Sequence, residues 1–368
     1  MDNPRILLAA GGTGGHVYPA IAIADALKDE NPDTEILFVG TKDHMEWKAV
    51  PNAGYDIRNV WISGFHRRFT LKNLIFPVKL ITSLIQSLRI LKAYKPQVVV
   101  SCGGYVAGPV GWVAGKLGIP IVIQEQNSFP GVTNRLLAKF ASKIFPAFKE
   151  ADNFLPANKT TVSGNPTRAT LKEADKPSAL ESFGFTDDKP VLLVMGGSGG
   201  AKTINDAMKA NIEALHDQAG LQIIWQCGSR YYDTLSTEIN TENMKDLRLT
   251  AYLDNMAEAY AAADLVISRA GASSCSELML TGKPSVLVPS PNVAGDHQTQ
   301  NAKAMADAGA SILLEDDKMK DTVTELVEQL IRDQQNLKRM NQAALKLAKP
   351  DAARLIAKEI LEIATSKL

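Results

Sequence analysis

Short apolar runs alternate with longer amphipathic segments along most of the chain. In the first half, the runs that predict strands are Ile6–Ala10, Ile36–Val39, Ile57–Val60, Val98–Ser101, Ile121–Gln124 and Thr161–Ser163. The intervening segments that predict helices are Pro19–Asp29, Leu71–Ala93, Pro109–Leu117 and Val132–Phe140. Continuous apolar runs separated by helices are typical of parallel strands joined by helical crossovers.

The second half of the chain repeats this alternation. Its predicted strands are Val191–Met195, Ile223–Gln226, Leu247–Ala251, Leu265–Ser268, Ser285–Val288 and Ser311–Leu314. Its predicted helices are Ala201–Leu215, Asn255–Ala262, Ser274–Leu280, Gln298–Ala308, a broken stretch over Lys318–Leu347, and Asp351–Ala364. The two halves therefore predict two domains of the same architecture.

The repeat is also visible in two glycine-rich segments. Leu7–Ala10 leads into Gly11-Gly12-Thr13-Gly14-Gly15, and Leu192–Met195 leads into Gly196-Gly197-Ser198-Gly199-Gly200. We therefore predict an α/β fold of two Rossmann-like domains separated by a deep cleft. Ligands bind at the carboxyl ends of the strands in such sheets.

The predicted domains are residues 1–164 and residues 165–349, with the boundary at Gly164-Asn165-Pro166. The last predicted helix carries an apolar stripe of Ile356, Ile360 and Ile363, which has to be buried. Pro350 precedes this helix, so we expect residues 350–368 to cross back and pack on the first domain.

Composition narrows the function classes. The 368 residues suffice for two domains, and 40 basic against 40 acidic residues give no net charge. Nucleic acid is therefore not an expected partner. The three cysteines are far apart, which argues against disulfides or a zinc site and favours a reducing compartment. No signal peptide and no transmembrane helix are expected, because no apolar run approaches about 18 residues.

Glycines between a strand and a helix let the backbone approach an anion at the helix N-terminus. The dinucleotide fingerprint is incomplete, because Gly15-His16-Val17 lacks its third glycine and Gly40-Thr41 lacks its acid. A dehydrogenase is therefore disfavoured. The second loop nearly matches a P-loop, although Ala201 replaces the last glycine, so an NTPase stays an alternative.

Three further segments carry candidate chemistry. Gly103-Gly104-Tyr105 predicts either a tight turn or a wall of the cleft. Ser274-x-x-Glu277 fits a capping box, but the same helix start can bind phosphate and Glu277 can accept two ribose hydroxyls. The amides of Gln298 and Asn301 suit neutral sugar hydroxyls, with helix capping as the alternative for their segment.

The first loop with its histidine, residues 11–16, resembles that of the MurG family, glycosyltransferase family 28. Further segments that are similar in order and spacing are Gly103-Gly104-Tyr105 with Gly108-Pro109, Glu125-Gln126-Asn127, Gly164–Arg168, Gly196–Ala201, Ser268–Glu277 and His297–Ala302. Together they cover the chain nearly end to end. One departure is Gly199, where the family usually has a glutamine.

The resemblance implies a GT-B fold and inverting transfer of N-acetylglucosamine from UDP-N-acetylglucosamine to the C4 hydroxyl of the muramoyl sugar of lipid I. The product would be lipid II for peptidoglycan synthesis. It implies no cofactor and no metal, and an Asp-x-Asp pattern does not occur in the sequence. Alternatives are a glycolipid synthase, a UDP-N-acetylglucosamine 2-epimerase, or a non-catalytic sugar-nucleotide-binding subunit.

The resemblance also assigns site residues. Ser198 and Arg168 would face the diphosphate, the backbone of Leu253 the uracil, and Glu277 the ribose. The remaining substrate-binding residues would be Thr13, Gly14, Gly15, Tyr105, Asn127, Ala272, Ser273, Ser274, Cys275, Ser276, Gln298 and Asn301. We expect His16 to be the general base, with Glu125 as the alternative base or as the group that orients it.

A lipid acceptor implies a peripheral position on the cytoplasmic face of the cell membrane, where other cell-wall synthesis or division proteins are further possible partners. Basic and apolar residues mix before the long helix of the first half. The predicted membrane-binding residues are Arg67, Arg68, Lys72, Leu74, Ile75, Phe76 and Lys79. Each basic residue near an anionic bilayer contributes about 1 kcal/mol. The alternative is a core helix with ordinary flanking charges.

Overall fold

The computed structural model describes residues 3–64, 75–197, 199–239, 244–293 and 296–366. The chain divides into two compact units. The first is Met1–Arg168 together with Lys349–Leu368, and the second is Ala169–Ala348. The predicted residues Arg67, Arg68, Lys72, Leu74 and Ser198 lie outside the described residues.

The first unit contains a six-stranded parallel sheet in the order β3-β2-β1-β4-β5-β6. Its strands are β1 (Arg5–Ala9), β2 (Glu35–Gly40), β3 (Asp56–Asn59), β4 (Val98–Ser101), β5 (Ile121–Glu125) and β6 (Ala141–Pro146). Its helices among the described residues are α1 (Gly14–Glu30), α2 (Glu46–Asn52), α3 (Phe76–Tyr94), α4 (Ala107–Lys116), α5 (Val132–Leu137) and the C-terminal α14 (Ala352–Thr365). Buried aliphatic side chains line both faces of this sheet.

The second unit repeats the plan, with the strand order β12-β11-β10-β7-β8-β9. Its strands are β7 (Val191–Met195), β8 (Gln222–Gln226), β9 (Leu247–Thr250), β10 (Leu265–Ser268), β11 (Ser285–Leu287) and β12 (Ser311–Leu313). Its helices among the described residues are α6 (Lys176–Phe183), α7 (Lys202–Glu213), α8 (Ser229–Glu238), α9 (Met256–Ala262), α10 (Ala272–Thr281), α11 (His297–Asp307), α12 (Met319–Arg332) and α13 (Gln334–Leu347). The predicted class of two Rossmann-like α/β domains is confirmed.

The C-terminal helix α14 packs on α1 of the first unit, as its apolar stripe predicts. Ile356 and Ile360 are fully buried in the same core cluster as Val17 and Ile21 of α1. An ion pair of 2.6 Å between Arg354 Nε and Glu30 Oε1 closes the edge of this contact.

One predicted strand is wrong. Thr161–Ser163 forms no strand of the sheet and only continues a short bridge, in which Thr161 N donates to Ile144 O at 2.9 Å. The sixth strand is β6, which the sequence pattern missed. Its first half carries the exposed Ser142 and the half-buried Lys143, as expected of an edge strand, so it does not form a continuous apolar run.

The strand order places a switch point in each sheet. β1 and β4 are neighbours in the first sheet, and β7 and β10 are neighbours in the second. From one strand of each pair the chain continues to a strand on one side of the sheet, and from the other strand it continues to the opposite side. This divergence opens a crevice at the carboxyl ends of the pair. Each predicted glycine loop follows one strand of such a pair.

Among the described residues, no helix has both the length and the apolar character needed to cross a membrane.

Candidate functional site

The first glycine loop connects β1 to α1. Thr13 occupies the N-cap position of α1 with an extended backbone, but its side chain does not cap the helix. Its hydroxyl instead lies 3.1 Å from His16 Nδ1. Because one ring nitrogen of His16 is engaged by Thr13, this contact orients the imidazole at the carboxyl edge of the sheet.

The loop after β4 makes room for this histidine. Gly103 has a φ of +93°, and a Cβ atom there would lie 2.7 Å from His16 Cδ2. Gly104 has a φ of +81°, and its Cβ would lie 2.2 Å from the carbonyl oxygen of Gly11. Both positions require glycine for conformation and for space. Gly103 and Gly104, predicted to form a tight turn or a wall of the cleft, therefore let the loop after β4 pack closely against the loop after β1.

Tyr105 follows these glycines and is 56% exposed. Its ring lies against Gly64, where a Cβ atom would come within 2.4 Å of the ring. Thr13 is exposed on the neighbouring loop, whereas Gly14 and Gly15 are partly buried in the first turn of α1. These four predicted residues thus share the carboxyl edge of the first sheet with His16.

Glu46 is a residue of this site that the sequence analysis missed. It lies at the start of α2 and is completely buried, although it is an acidic residue. Its Oε2 atom accepts the Gly12 N–H at 3.1 Å, and its Oε1 atom accepts the Thr41 hydroxyl at 2.6 Å. A glutamate in a short helix gives no local signal of a contact with a loop that is 34 residues away.

Glu125 ends β5 and is 1% exposed. Its Oε1 atom accepts the backbone and side-chain N–H groups of Asn127 at 3.0 and 3.1 Å. Its Oε2 atom accepts the Gly131 N–H at 3.0 Å and Asn134 Nδ2 at 2.9 Å. A carboxylate that accepts four such bonds is well suited to fix a loop. These contacts fit the orienting role, which is one of the two roles predicted for Glu125.

A buried amide network lies below this loop. Gln126 Nε2 donates to the carbonyl oxygen of Cys102 at 2.7 Å, which links the loops after β4 and β5. Gln124 Nε2 donates to Asn165 Oδ1 at 3.2 Å. Ser101 donates to Asn134 Oδ1 at 3.1 Å. These contacts fix the position of the loop that carries Asn127, a partly buried residue.

Arg168 is the last residue of the first segment of this unit. Its guanidinium carbon lies 4.8 Å from the centre of the Tyr18 ring. Tyr18 follows His16 by two residues on α1, so Arg168 lies beside the first turn of that helix. The cation–π contact with Tyr18 orients the guanidinium, whose Nε atom is buried and has no hydrogen-bond partner among the described residues.

The second glycine loop connects β7 to α7. Gly197 and Gly200 have φ values of +82° and +73°. A Cβ atom on Gly200 would lie 2.0 Å from the carbonyl oxygen of Cys227, so glycine is required there. Ala201 occupies the N-cap position of α7 and offers no side-chain cap. The first N–H groups of α7 thus have no capping side chain, which suits an anion.

The third site segment follows β10 and enters α10. The helix begins at Ala272, with Gly271 at the N-cap position, so Ser274 lies within the first turn. The capping-box alternative for Ser274 and Glu277 is therefore wrong. Glu277 Oε2 instead accepts a hydrogen bond of 2.9 Å from the hydroxyl of buried Tyr260.

The remaining residues at the start of α10 are mostly inward-facing. The Ser276 hydroxyl donates to the carbonyl oxygen of Ala272 at 2.8 Å. Burial raises the pKa of the Cys275 thiol to about 12, so this thiol stays protonated near neutral pH. Ser273 is partly buried, and its hydroxyl oxygen is a buried atom with no hydrogen-bond partner among the described residues. The side chains of Ala272, Cys275 and Ser276 are thus buried.

Helix α11 supplies Gln298 and Asn301 in different roles. Gln298 is partly exposed, and its Oε1 atom accepts the Ser290 N–H at 2.8 Å. Asn301 is fully buried, and its Nδ2 atom donates to the carbonyl oxygen of Ala270 at 3.1 Å. Asn301 therefore supports the turn before α10, whereas Gln298 lies at the surface of the site.

Leu253 has a buried side chain between two exposed neighbours. The Thr250 hydroxyl donates to the carbonyl oxygen of Tyr252 at 2.7 Å and fixes this turn after β9. The turn that carries Leu253 thus follows β9, at the carboxyl edge of the sheet in which β7 leads into the second glycine loop.

A second group that the sequence analysis missed joins four loops of the second unit. Arg269 forms an ion pair with Asp316 and donates to the carbonyl oxygen of Val288 at 3.0 Å. Thr203 at the start of α7 donates to Asp316 Oδ2 at 2.9 Å. These bonds connect the segments that follow β7, β10, β11 and β12. They stabilise the carboxyl edge on which the site stands.

The described part of the predicted membrane segment begins at Ile75. Ile75 is 49% exposed, and Lys79 lies 5.5 Å from the centre of the Trp61 ring. Val78, Ile81 and Ile85 of α3 are 55%, 60% and 47% exposed. Their spacing places them on one exposed side of the helix. Phe76, another predicted membrane residue, is instead partly buried and packs against the core of the first unit.

No group of three or more His, Cys, Asp or Glu side chains in the described ranges is arranged to hold a metal ion.

Comparisons with known proteins agree across the whole chain. The model of the glycosyltransferase family 28 N-terminal domain matches residues 6–146, and that of the family 28 C-terminal domain matches residues 191–356. A protein of Salinibacter ruber is 46% identical over 361 residues, which cover 98% of this chain and 97% of that protein. It is described as UDP-N-acetylglucosamine–N-acetylmuramyl-(pentapeptide) pyrophosphoryl-undecaprenol N-acetylglucosamine transferase.

Solved structures show the same fold. The crystal structure of Acinetobacter baumannii MurG is 30% identical, with a TM-score of 0.72 over 98% of this chain and 99% of that chain. A UDP-N-acetylglucosamine 2-epimerase is 15% identical, with a TM-score of 0.69 over 98% and 96% of the two chains. At that identity, the likeness to the epimerase concerns the fold alone.

Proposed function

The chain belongs to glycosyltransferase family 28, and we propose on that premise that it transfers N-acetylglucosamine from UDP-N-acetylglucosamine to lipid I, which yields lipid II. The observation that carries this proposal is the 46% identity to the Salinibacter ruber transferase over nearly the full length of both chains. The site residues described above support the same reaction.

We place the donor on the second unit. The glycine loop Gly196–Ala201 and the start of α7 offer backbone N–H groups to the diphosphate. Glu277, oriented by Tyr260, accepts the ribose hydroxyls, and the backbone of Leu253 reads the uracil edge. Gln298 contacts sugar hydroxyls, whereas buried Asn301 acts through the turn that it supports.

The first unit supplies the groups that act on the acceptor. His16 removes the proton from the attacking C4 hydroxyl, with its ring oriented by Thr13. A single in-line displacement then inverts the anomeric carbon, and the UDP diphosphate leaves. Gly14, Gly15, Tyr105 and Asn127 contribute to the sugar-binding edge, and Glu125 holds Asn127 in place.

Arg168 is the proposed cationic contact of the diphosphate, with Tyr18 as its platform. Charge that develops on the leaving diphosphate is stabilised by backbone dipoles and by this guanidinium. Ser198 belongs to the same proposal by resemblance alone, since it lies outside the described residues.

The acceptor is a lipid, so we further propose peripheral binding at the cytoplasmic face of the cell membrane. The exposed apolar face of α3, with Lys79 beside it, supports this position. An apolar face flanked by basic residues binds an anionic bilayer through both burial and charge. We propose other cell-wall synthesis or division proteins as further partners at that surface.

The test is a transfer assay with the purified chain, UDP-N-acetylglucosamine and a lipid I analogue. We expect a disaccharide-linked lipid and one equivalent of UDP for each acceptor consumed. UDP release without a glycosylated acceptor would indicate an epimerase-type reaction instead. Donor binding without turnover would indicate a non-catalytic sugar-nucleotide-binding subunit, and either outcome would overturn the proposal.

A further inference from the structure

The side chain of Glu46 lies beneath the first glycine loop and has no exposed surface. Its carboxylate accepts three hydrogen bonds, one from the Gly12 N–H and two from Thr41. The backbone N–H of Thr41 lies 3.1 Å from Oε1, and its hydroxyl lies 2.6 Å from the same atom. All three donors are neutral groups. A buried carboxylate is costly to maintain unless such bonds hold it in place.

The neighbouring glycines leave the volume that this carboxylate fills. A Cβ atom on Gly11 would lie 2.6 Å from Glu46 Oε1, and one on Gly40 would lie 2.7 Å from Glu46 Cγ. The φ angles of Gly11 and Gly40 lie outside the left-handed region, so space and not backbone conformation requires glycine at these positions. The end of β2 and the start of the first loop are thus both shaped around one acidic side chain.

The contact reaches the proposed general base through the loop. Gly12 has a φ of +91° and precedes Thr13. The carbonyl oxygen of Thr13 accepts the His16 N–H at 3.1 Å, and its hydroxyl contacts the His16 ring. A hydrogen bond that fixes the Gly12 peptide therefore also fixes the orientation of Thr13 and His16, which follow it in the chain.

We propose that Glu46 is a positioning residue for the transfer reaction, acting through the Gly12 N–H on Thr13 and His16. The inference rests on the proposed function, because it assigns His16 as the group to be positioned. The contact with Glu46 also gives the two glycine loops different roles. The Gly12 N–H is already bound to a carboxylate, so the first loop presents a histidine to a neutral hydroxyl, whereas the second loop serves the diphosphate.

The substitution Glu46→Gln tests the contact with little change in volume. A glutamine can still accept both Thr41 bonds at its oxygen, but its NH₂ group then faces the Gly12 N–H. Two donors in contact push the loop away from its position. A displacement of about 1 Å near reacting groups lowers turnover by roughly 100-fold.

The experiment measures transfer kinetics of Glu46→Gln and wild type, together with hydrogen exchange of the Gly12 amide. We expect kcat to fall by about 10- to 100-fold, the KM for UDP-N-acetylglucosamine to change less than about twofold, and the Gly12 amide to lose protection. Ile360→Val in α14 is the control for a general loss of stability in the same unit. A purely structural role would lower kcat equally in both variants.

Thr41 provides a second pair in case Glu46→Gln does not fold. Thr41→Val removes one of the three donors to Glu46, whereas Thr41→Ser keeps the hydroxyl. We expect kcat to fall in the first and to be largely retained in the second. If the wild type is active and Glu46→Gln is equally active, the inference about Glu46 is overturned while the proposed function stands. The same holds if the wild type is active and the two Thr41 variants have equal activity. A wild type that forms no glycosylated lipid overturns the proposed function, and the role of Glu46 in it falls as well.

Discussion

The hydroxyl of Tyr260 donates a hydrogen bond of 2.9 Å to Glu277 Oε2. Tyr260 is fully buried in α9, so the core of the second unit fixes the position of its hydroxyl. The carboxylate that we propose for ribose binding is therefore oriented from behind by a residue that cannot itself reach the ligand.

Tyr260→Phe keeps the ring and removes this hydrogen bond. We expect the KM for UDP-N-acetylglucosamine to rise by about tenfold, equivalent to ~1.4 kcal/mol, with a smaller effect on kcat. The free energy of unfolding should fall by about 1 kcal/mol. Steady-state kinetics and denaturant unfolding measure both. Tyr232→Phe, at a partly buried tyrosine of the same unit, is the control, and an unchanged KM in Tyr260→Phe would contradict the assignment.

His16→Ala removes the proposed general base. We expect kcat to fall by roughly 10²- to 10⁴-fold, because proton transfer by a positioned side chain contributes about that much. Donor affinity, measured by calorimetry, should stay nearly unchanged, since His16 is assigned to the acceptor hydroxyl and not to a donor contact. Thr13→Val, which removes the contact to Nδ1, should give an intermediate loss. Full turnover in His16→Ala would remove this residue from the base role.

Glu125→Gln distinguishes orientation from proton abstraction. The carboxylate accepts four hydrogen bonds, and a glutamine oxygen can satisfy only those on one side. We expect a stability loss of about 1–3 kcal/mol and a lower kcat at all pH values, with the acid limb of the pH–rate profile retained. Asn134→Ala should reproduce part of both losses. If the acid limb disappears in Glu125→Gln, the carboxylate is the base.

Gly199→Gln restores the residue that the family usually has in the second loop. A Cβ atom at Gly199 meets nothing within 4 Å, and its φ lies outside the left-handed region. We therefore expect an unchanged melting temperature and a donor KM that is equal or lower. Gly200→Ala is the matched control, because a Cβ there would lie 2.0 Å from a carbonyl oxygen. A marked loss of stability in Gly199→Gln would show that this loop requires glycine at both positions.

The exposed face of α3 should determine membrane binding. Replacing Val78, Ile81 and Ile85 together by glutamine is expected to weaken binding to vesicles with anionic lipid by at least about tenfold, because each buried aliphatic side chain contributes about 1.5–3 kcal/mol. Affinity for UDP-N-acetylglucosamine should not change. Leu355→Gln, an exposed aliphatic residue of α14, is the control. Equal vesicle binding by the triple variant would exclude this face.

The strands were predictable wherever burial on both faces makes a continuous apolar run. β7 and β10 were placed from their first to their last residue for this reason. Edge strand β6 was missed because exposed and half-buried polar residues interrupt its run. Helix α8 was also missed, since among its residues only Leu235 is buried and it therefore has almost no apolar stripe. Helices α2 and α6, of 7 and 8 residues, were not predicted either.

The candidate site was predictable where it depends on local sequence. The glycine loops follow predicted strands and can be located from the alternation. Glu277 was found from the pattern Ser274-x-x-Glu277 within α10, and Glu125 from the family resemblance. Glu46, Tyr260 and the pair of Arg269 with Asp316 act through contacts between distant segments, and nothing in their immediate neighbours indicates it. The family resemblance identified the residues proposed to contact the ligands, but not the residues that hold these in place.

The packing of α14 on α1 also sets an order in which the protein can be assembled on the ribosome. β1 and α1 are synthesised early, but Ile356 and Ile360, which cover the apolar side of α1, emerge only after the entire second unit. The second unit can close its core during translation, while the first unit keeps an uncovered aliphatic surface until α14 has been synthesised. A nascent chain, or one truncated before α14, is therefore most exposed to aggregation and chaperone binding at α1.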